Sequence, residues 1–268
     1  MSRSSRRFDA RARPAFALDG PIGGLYLYRV RRLPKVAATT ADLELDDRTV
    51  SLTVRRSRRA HRLLLRVDAA GEKVELVLPH GVGLPEGMRF ARSHADWLRA
   101  RLAAVPPRIA FSDGAIISVL GAPLRLRHRP DARGGAWVED GDLNVTGRPE
   151  HLPRRVKDWL IGHARSALAD SARRHAEALG RRFRRLTLRD PRTQWGSCSA
   201  TGDLSFSWRL ILAPPEVLDY VVAHEVAHLS EANHGPRFWT LVTQLLGADY
   251  RSHRVWLRRH GATLLRYG

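Results

Sequence analysis

The chain has 268 residues and a formal net charge of +19 at pH 7, and only three of its 46 basic residues are lysines, namely Lys35, Lys73 and Lys157. Its single cysteine, Cys198, excludes an intramolecular disulfide and a four-cysteine zinc ribbon, and no apolar run of about 18 residues predicts a membrane span. We therefore expect a soluble cytoplasmic protein without a membrane partner, while the arginine surplus leaves a nucleotide or nucleic-acid partner open.

The N-terminal part of the chain divides into a tail and a β-rich segment. Residues 1–46 show no sustained apolar period and end in an acidic run, which predicts a disordered Arg-rich tail and linker. Residues 47–147 are predicted to form a β-rich N-terminal domain. Within it, apolar and polar residues alternate over 49–56, 61–68 and 72–79, which predicts a three-stranded antiparallel meander.

The rest of this domain is predicted to contain one helix and four short strands. Apolar residues at helical spacing predict a helix over residues 85–107, which Pro106 and Pro107 end. Short apolar runs separated by glycine turns predict strands at 115–121, 123–129, 135–140 and 142–147.

Residues 148–268 are predicted to form a second domain of helices and a β-hairpin. The apolar period predicts a long helix over 149–179, with Gly180 at its C-terminal cap. The elements predicted after it are a strand at 185–190, a hairpin over 193–214 that turns at 200–202, and helices at 216–231, 236–246 and 250–261. This order predicts an α+β fold with a β-rich N-terminal half.

The sequence HEVAH at residues 224–228 carries the clearest chemical signal. Residues four apart lie on one face of a helix, so His224 and His228 can direct both imidazoles at one metal ion. Glu225 can reach a water molecule activated by that ion and act as the general base. Two histidines and a glutamate are poor choices for a helix flanked by valines unless a ligand satisfies them. We therefore predict a catalytic zinc site with Glu225 as the catalytic residue.

A catalytic zinc ion normally keeps three protein ligands, and His234, six residues after His228, is the nearest third candidate. The interval equals that of the metzincins, but Glu231 replaces their glycine and both methionines precede the motif. No later glutamate could serve a gluzincin-type site. Histidine is thus the third ligand by elimination, and His234 is preferred. The alternatives are Glu231, His253 and His260.

The stretch WGSCSATGDLSFSWRLILAPPEVLDYVVAHEVAHLSEANHGPRFW, residues 195–239, resembles the YgjP-like metallopeptidase family, whose relatives include the SprT-like and WLM zinc peptidases. Likeness to the strands, helix and C-terminal end of that family extends the resemblance over about residues 50–262. The resemblance implies a zincin-like fold for the second domain. It also implies that zinc is held by His224, His228 and His234, with Glu225 as the catalytic base.

These features predict a zinc-dependent hydrolase of the metallopeptidase type that acts on peptides or proteins. One alternative is metal-dependent hydrolysis of a nucleotide phosphoanhydride, because arginines can hold phosphates. The chain lacks the glycine-rich phosphate loop that would favour this reaction. A second alternative, suggested by the SprT-like relatives, is a protease associated with nucleic acid.

Three features near the motif have roles that the sequence leaves open. The apolar run at residues 204–212 is placed to receive an extended peptide as an added strand. Residues 195–198 predict a tight turn, either near the metal or purely structural. Tyr220, one turn before His224, belongs either to the core or to the site as an oxyanion donor.

Overall fold

The computed structural model describes residues 39–46, 48–68 and 70–268, and within these ranges it contains six α-helices and three small sheets. Strands are concentrated in the N-terminal half, so the predicted α+β class is confirmed. Of the tail and linker predicted over residues 1–46, residues 1–38 lie outside the described residues. No helix in the described ranges is long and apolar enough to cross a bilayer.

The first sheet consists of β1 (Thr39–Leu45), β2 (Arg48–Ser57), β3 (Leu64–Val67) and β4 (Val74–Pro79). Strand β1 forms from residues that were predicted as linker. The order is β1-β2-β4-β3, with β2 and β4 parallel and the other pairs antiparallel, so the predicted meander is wrong in its pairing. All residues of β4 except Glu75 are buried, whereas β3 is mostly half-buried. Strand β4 is hydrogen-bonded on both edges and also contacts α1, in keeping with its burial, whereas β3 lies at the edge of the sheet.

Two helices follow this sheet, α1 (Leu84–Ser93) and α2 (Ala95–Ala103), where a single helix was predicted. The break lies at His94, whose Nδ1 is 2.9 Å from the Phe90 carbonyl oxygen. The backbone N–H of His94 bonds instead to the carbonyl of Ala91. The side chain thus replaces the regular helical hydrogen bond at this position, and the chain changes direction.

The second sheet repeats the topology of the first. Its strands are β5 (Ile116–Val119), β6 (Ala122–His128), β7 (Ala136–Glu139) and β8 (Asp142–Val145). They pair in the order β5-β6-β8-β7, and β6 and β8 are parallel. The predicted short strands are confirmed, and each four-stranded unit is followed by helix. The sequence itself shows no repeat, because sheet topology depends on apolar pattern rather than residue identity.

The long predicted helix is confirmed as α3 (Leu152–Ala178), after a 3-10 turn at Pro149–His151. Gly180 follows its end with φ 62°, the left-handed conformation that suits glycine at this cap. Side chains of α3 share a large core with the second sheet and the C-terminal elements, whereas the first sheet and α1–α2 enclose a separate smaller core. The domain boundary after residue 147 stays a prediction.

The third sheet consists of β9 (Arg185–Arg189), β10 (Gly196–Cys198) and β11 (Asp203–Ser207), in the order β10-β11-β9. Residues Trp208–Leu212, predicted as the end of a strand, form a 3-10 helix in which nearly every side chain is buried. The last helices are α4 (Pro215–Ala227), α5 (Pro236–Leu246) and α6 (Arg251–Leu264). The predicted α5, closed by Gly247, is confirmed at both ends.

Candidate metal centre

Helix α4 lies in the large core and carries His224 and Glu225. Pro215 lies in its first turn, where the missing N–H leaves no hydrogen bond unmade. All residues from Tyr220 to Ala227 are buried, and α3, α5, α6 and β10 contact the helix. The helix ends at Ala227 rather than near Glu231. His228 is the C-cap, but its φ of −66° and ψ of −14° are still helical, so it remains on the same face as His224.

The three predicted ligands come together. The ligand atoms of His224, His228 and His234 all lie within 4.8 Å of one another, and Nε2 of His224 is 3.0 Å from Nε2 of His234. The fully buried ring of Phe238 backs all three imidazoles, with ring centroids 4.6 to 4.8 Å away. Nitrogens around a tetrahedral zinc ion lie about 3.3 Å apart. The His224 and His234 nitrogens are close to that spacing, and the third ligand atom lies within 4.8 Å of them, so a small movement of the imidazoles would complete the set.

The hydrogen bonding and pKa values of the histidines also fit a metal. Nδ1 of His228 is 2.9 Å from the Glu231 carbonyl oxygen, so Nδ1 carries the hydrogen and Nε2 presents a lone pair. That Nε2 is buried without a hydrogen-bond partner among the described residues. Burial lowers the pKa of His228, and burial together with His228, His234 and Arg254 lowers that of His224 well below its usual value. Neutral imidazoles, the form that binds metals, are therefore favoured.

Glu225 lies beside this cluster with none of its surface exposed. Burial raises its pKa well above the usual value, and the backbone N–H of Cys198 partly offsets the rise. That amide is close but not in normal hydrogen-bond geometry, since neither carboxylate oxygen has a partner among the described residues. A buried carboxylate needs a compensating group, and a cation held by the adjacent imidazoles would provide one.

Gly196 on β10 makes room for the Glu225 carboxylate. A Cβ atom at this position would lie 2.6 Å from Cγ of Glu225 and 2.7 Å from its Oε1. Residues Gly196–Cys198 thus form an edge strand that packs against α4, and the tight turn predicted over residues 195–198 is wrong. The Cys198 thiol on this strand has a pKa raised to about 12 by burial and by the charges of Glu225 and Asp203, so it stays protonated.

The strand predicted to receive a peptide is not available for that role. β11 is the central strand of its sheet and pairs with β9 and β10, so its backbone hydrogen bonds are already used. The residues after it are 3-10 helix. The prediction is wrong because an apolar run of this kind is equally typical of a buried central strand.

The alternative third ligands lie outside the cluster. Glu231 contributes its backbone carbonyl to His228, the His253 ring packs 6.1 Å from Tyr220, and the His260 ring packs 4.8 Å from Trp256. In the described part of the chain, the metal-ligating side chains grouped at this site are the three histidines alone. Tyr220 is fully buried and its ring lies 6.2 Å from that of His224.

Aromatic and basic side chains lie around the histidine cluster, and their presence there was not predicted from the sequence. Trp239 has its ring 5.7 Å from those of both His224 and His234, and Tyr250 stacks on it at 4.5 Å. Arg254 lies 5.6 Å from the centre of the same indole ring. No local motif marks Tyr250 or Arg254, because they reach the site only through the packing of α6 against α4.

The model of the family described as YgjP-like, metallopeptidase domain, matches residues 61–260, which is most of the chain. The chain belongs to the YgjP-like family. The match begins before β3 and ends in α6, so it covers α4 and the loop that leads into α5, which carry the histidines of this YgjP-like chain. It is therefore a hydrolase of the metallopeptidase type. No curated protein and no solved structure matches the chain.

Proposed function

We propose that this YgjP-like chain is a zinc-dependent peptidase in which His224, His228 and His234 hold the metal and Glu225 is the general base. The observation that carries the proposal is the convergence of three histidine ligand atoms within 4.8 Å beside a fully buried carboxylate. Family membership supports peptides or proteins as the substrate class.

Each residue of the site has a separate task in this proposal. A zinc ion, when bound, supplies Lewis-acid polarisation of a carbonyl and a water molecule of lowered pKa. Glu225 accepts the proton of the attacking water and passes it to the leaving amine, and its dry surroundings favour uptake because they disfavour the charged carboxylate. The Glu231 carbonyl orients His228, and Gly196 keeps the space that the Glu225 side chain occupies.

The two alternative functions, hydrolysis of a nucleotide and proteolysis in association with nucleic acid, have less support. Many arginines near the third sheet are engaged with carboxylates, as Arg184 and Arg185 are with Asp203 and Arg192 with Asp68. Among the described residues, no contact at the site favours a phosphoanhydride over a peptide. Both the nucleotide reaction and the nucleic-acid-associated protease stay predictions, and release of phosphate from nucleoside triphosphates would support the former.

Metal content measured by mass spectrometry tests the proposal, on protein purified without a metal-affinity tag and reconstituted with zinc. We expect one zinc ion per wild-type chain and a sharp loss in His234→Ala. The control is His260→Ala, because this histidine lies against Trp256 and should leave the metal content unchanged. Failure of the wild type to hold zinc would refute the proposed function.

A further inference from the structure

Tyr250, at the N-terminus of α6, packs its ring against one residue of α5 and one residue of α4. The ring is half-buried and stacks on the Trp239 indole, with centroids 4.5 Å apart and an angle of 17° between the planes. It also stacks on the Tyr220 ring, with centroids 6.2 Å apart and an angle of 14°. One aromatic side chain of α6 thus packs against both of the helices that flank the histidine cluster.

The two rings that Tyr250 stacks on also pack against candidate metal ligands. The Trp239 indole lies 5.7 Å from the rings of His234 and His224. Tyr220 lies one turn before His224 on α4, and its ring is 6.2 Å from the imidazole. A continuous row of rings therefore leads from His234 through Trp239, Tyr250 and Tyr220 to His224.

The three histidines differ in the elements that carry them. His224 lies in the buried part of α4, and His228 is its C-cap with a helical backbone conformation. His234 instead lies in the loop between α4 and α5, and its ring packs on Phe238 and Trp239 of α5. The distance between His234 and His224 therefore depends on how α5 packs against α4.

The short turn between α5 and α6 determines where the Tyr250 ring lies. Gly247 ends α5 in the left-handed conformation with φ 66°, and only two residues separate it from Tyr250. The second of these, Asp249, accepts a hydrogen bond on Oδ1 from the backbone N–H of Arg251 at 3.1 Å, in the first turn of α6. The ends of both helices thus hold Tyr250 beside Trp239.

We propose that Tyr250 is a positioning residue, which fixes the distance between His224 and His234 and thereby raises the affinity of the site for its metal ion. The Nε2 atoms of the two histidines are 3.0 Å apart, and stacked rings at the distances found here stabilise such an arrangement. This inference rests on the proposed function, because it concerns the metal that the histidines are proposed to bind. It adds a residue of α6 that touches none of the reacting groups.

The test is the zinc affinity of the full chain, measured by competition with chelators of graded strength on variants whose folding is checked by circular dichroism. Tyr250→Leu keeps an apolar side chain but removes the ring, and we expect it to bind zinc about tenfold more weakly, as is common when a group that orients a metal ligand is lost. Tyr250→Phe keeps the stacked ring and should bind zinc as the wild type does.

The same substitution in a second background distinguishes positioning of His234 from general damage to the fold. In the His234→Ala background, Tyr250→Leu should change the remaining zinc affinity little, because the ligand through which Tyr250 acts is absent. An equal weakening of zinc binding in both backgrounds would overturn the inference.

Trp256→Leu is the matched control on the same helix. The Trp256 ring packs 4.8 Å from that of His260, a histidine outside the cluster. Its replacement removes an aromatic–histidine pair of α6 and should leave the zinc affinity unchanged. A loss of affinity as large as that of Tyr250→Leu would contradict a specific role for Tyr250.

Trp239→Leu removes the other ring of the stacked pair and keeps the inference testable if Tyr250→Leu does not fold. It should weaken zinc binding in the wild-type background and not in the His234→Ala background. Wild-type zinc affinity in either Trp239→Leu or Tyr250→Leu would overturn the inference and leave the metal site standing. If the zinc-treated wild type holds no zinc, the proposed function is refuted together with the inference built on it.

Discussion

At the scale of single residues, the candidate site consists of polar side chains buried among apolar ones. Such burial is unfavourable unless a bound ligand interacts with these groups. His224 and Glu225 have none of their surface exposed, and they lie among the valines of α4. Burial favours the neutral form of both side chains. A bound cation would favour the charged form of Glu225, which is the form that can accept a proton.

Glu225→Gln should leave the zinc content of the protein unchanged and abolish hydrolysis of peptides. Glutamine keeps the size of the side chain but cannot accept a proton, and loss of a general base lowers rates by about 10²–10⁴-fold. Metal analysis and a peptide-digestion assay on the same sample measure both effects. Retained turnover would show that Glu225 is not the base, whereas loss of zinc would mean that it helps to hold the metal.

Gly196→Ala changes a residue on β10, the strand next to Glu225, and should lower the catalytic activity. The added methyl group would lie 2.6 Å from Cγ of Glu225, so either that side chain or β10 must move. We expect turnover to fall about tenfold or more, and the free energy of unfolding to fall by about 1–3 kcal/mol. Steady-state assays and urea denaturation measure the two changes.

Gly162→Ala is the matched control for this substitution, since a Cβ atom at Gly162 meets nothing within 4 Å and the residue is exposed in α3. It should leave activity unchanged and stabilise the helix slightly. A Gly196→Ala variant that behaves like the control would contradict the role assigned to the close approach.

At the scale of elements, the position of α4 depends on its packing against α3, and Asp219 is the main polar link between them. Ser171 donates to Oδ1 of Asp219 at 2.6 Å and Arg174 donates to the same oxygen at 3.0 Å. Nε2 of His175 is also 3.0 Å from that oxygen. Burial raises the pKa of Asp219, but His175, Ser171 and Arg174 outweigh it, so the pKa is lower than usual.

Asp219→Asn should therefore destabilise the protein in a manner that depends on pH. Because the pKa is lowered in the folded state, the charged carboxylate stabilises the fold above the ordinary aspartate pKa of about 3.9. This contribution is lost as the pH falls through the lower folded-state value. We expect a loss of about 1–3 kcal/mol at pH 7 that shrinks toward zero in acid, measured by urea denaturation over a pH series.

Asp170→Asn is the comparison for Asp219→Asn, since Asp170 pairs with Arg173 on the exposed surface of α3. Exposed pairs contribute little, so its effect should stay below about 1 kcal/mol. A destabilisation by Asp219→Asn that is constant from pH 7 into acid would contradict the role of its charge.

At the scale of the whole molecule, residues 68 and 70–72 after β3 link the two cores, since Ala70 packs in the larger core and polar contacts surround it. Arg266 donates to the Ala70 carbonyl at 2.6 Å, and Arg192 is 3.0 Å from Asp68 and 2.6 Å from Glu72. The candidate ligands all belong to the larger unit, on α4 and on the loop that leads into α5. Metal binding should therefore stabilise that unit directly.

Zinc should raise the melting temperature of the protein and a chelator should lower it. The three ligands meet only in the folded chain, so zinc at 100 times its dissociation constant would add about 2.7 kcal/mol. Differential scanning calorimetry with and without zinc measures the shift. His234→Ala should lose the response and His260→Ala should keep it; an identical melting temperature for the wild type with and without zinc would contradict metal binding in the folded state.

The sequence alone was sufficient to predict the α+β class, the position of α5 up to Gly247, and the three histidines that meet beside Glu225. These depend on local properties, since helix caps, apolar periods and the i, i+4 spacing act within a few residues. The pairing of β2 with β4, the central place of β11, and the approach of Gly196, Trp239 and Arg254 to the histidines were decided by tertiary structure. Each of these joins residues distant in the chain through burial of apolar surface, which local patterns do not encode.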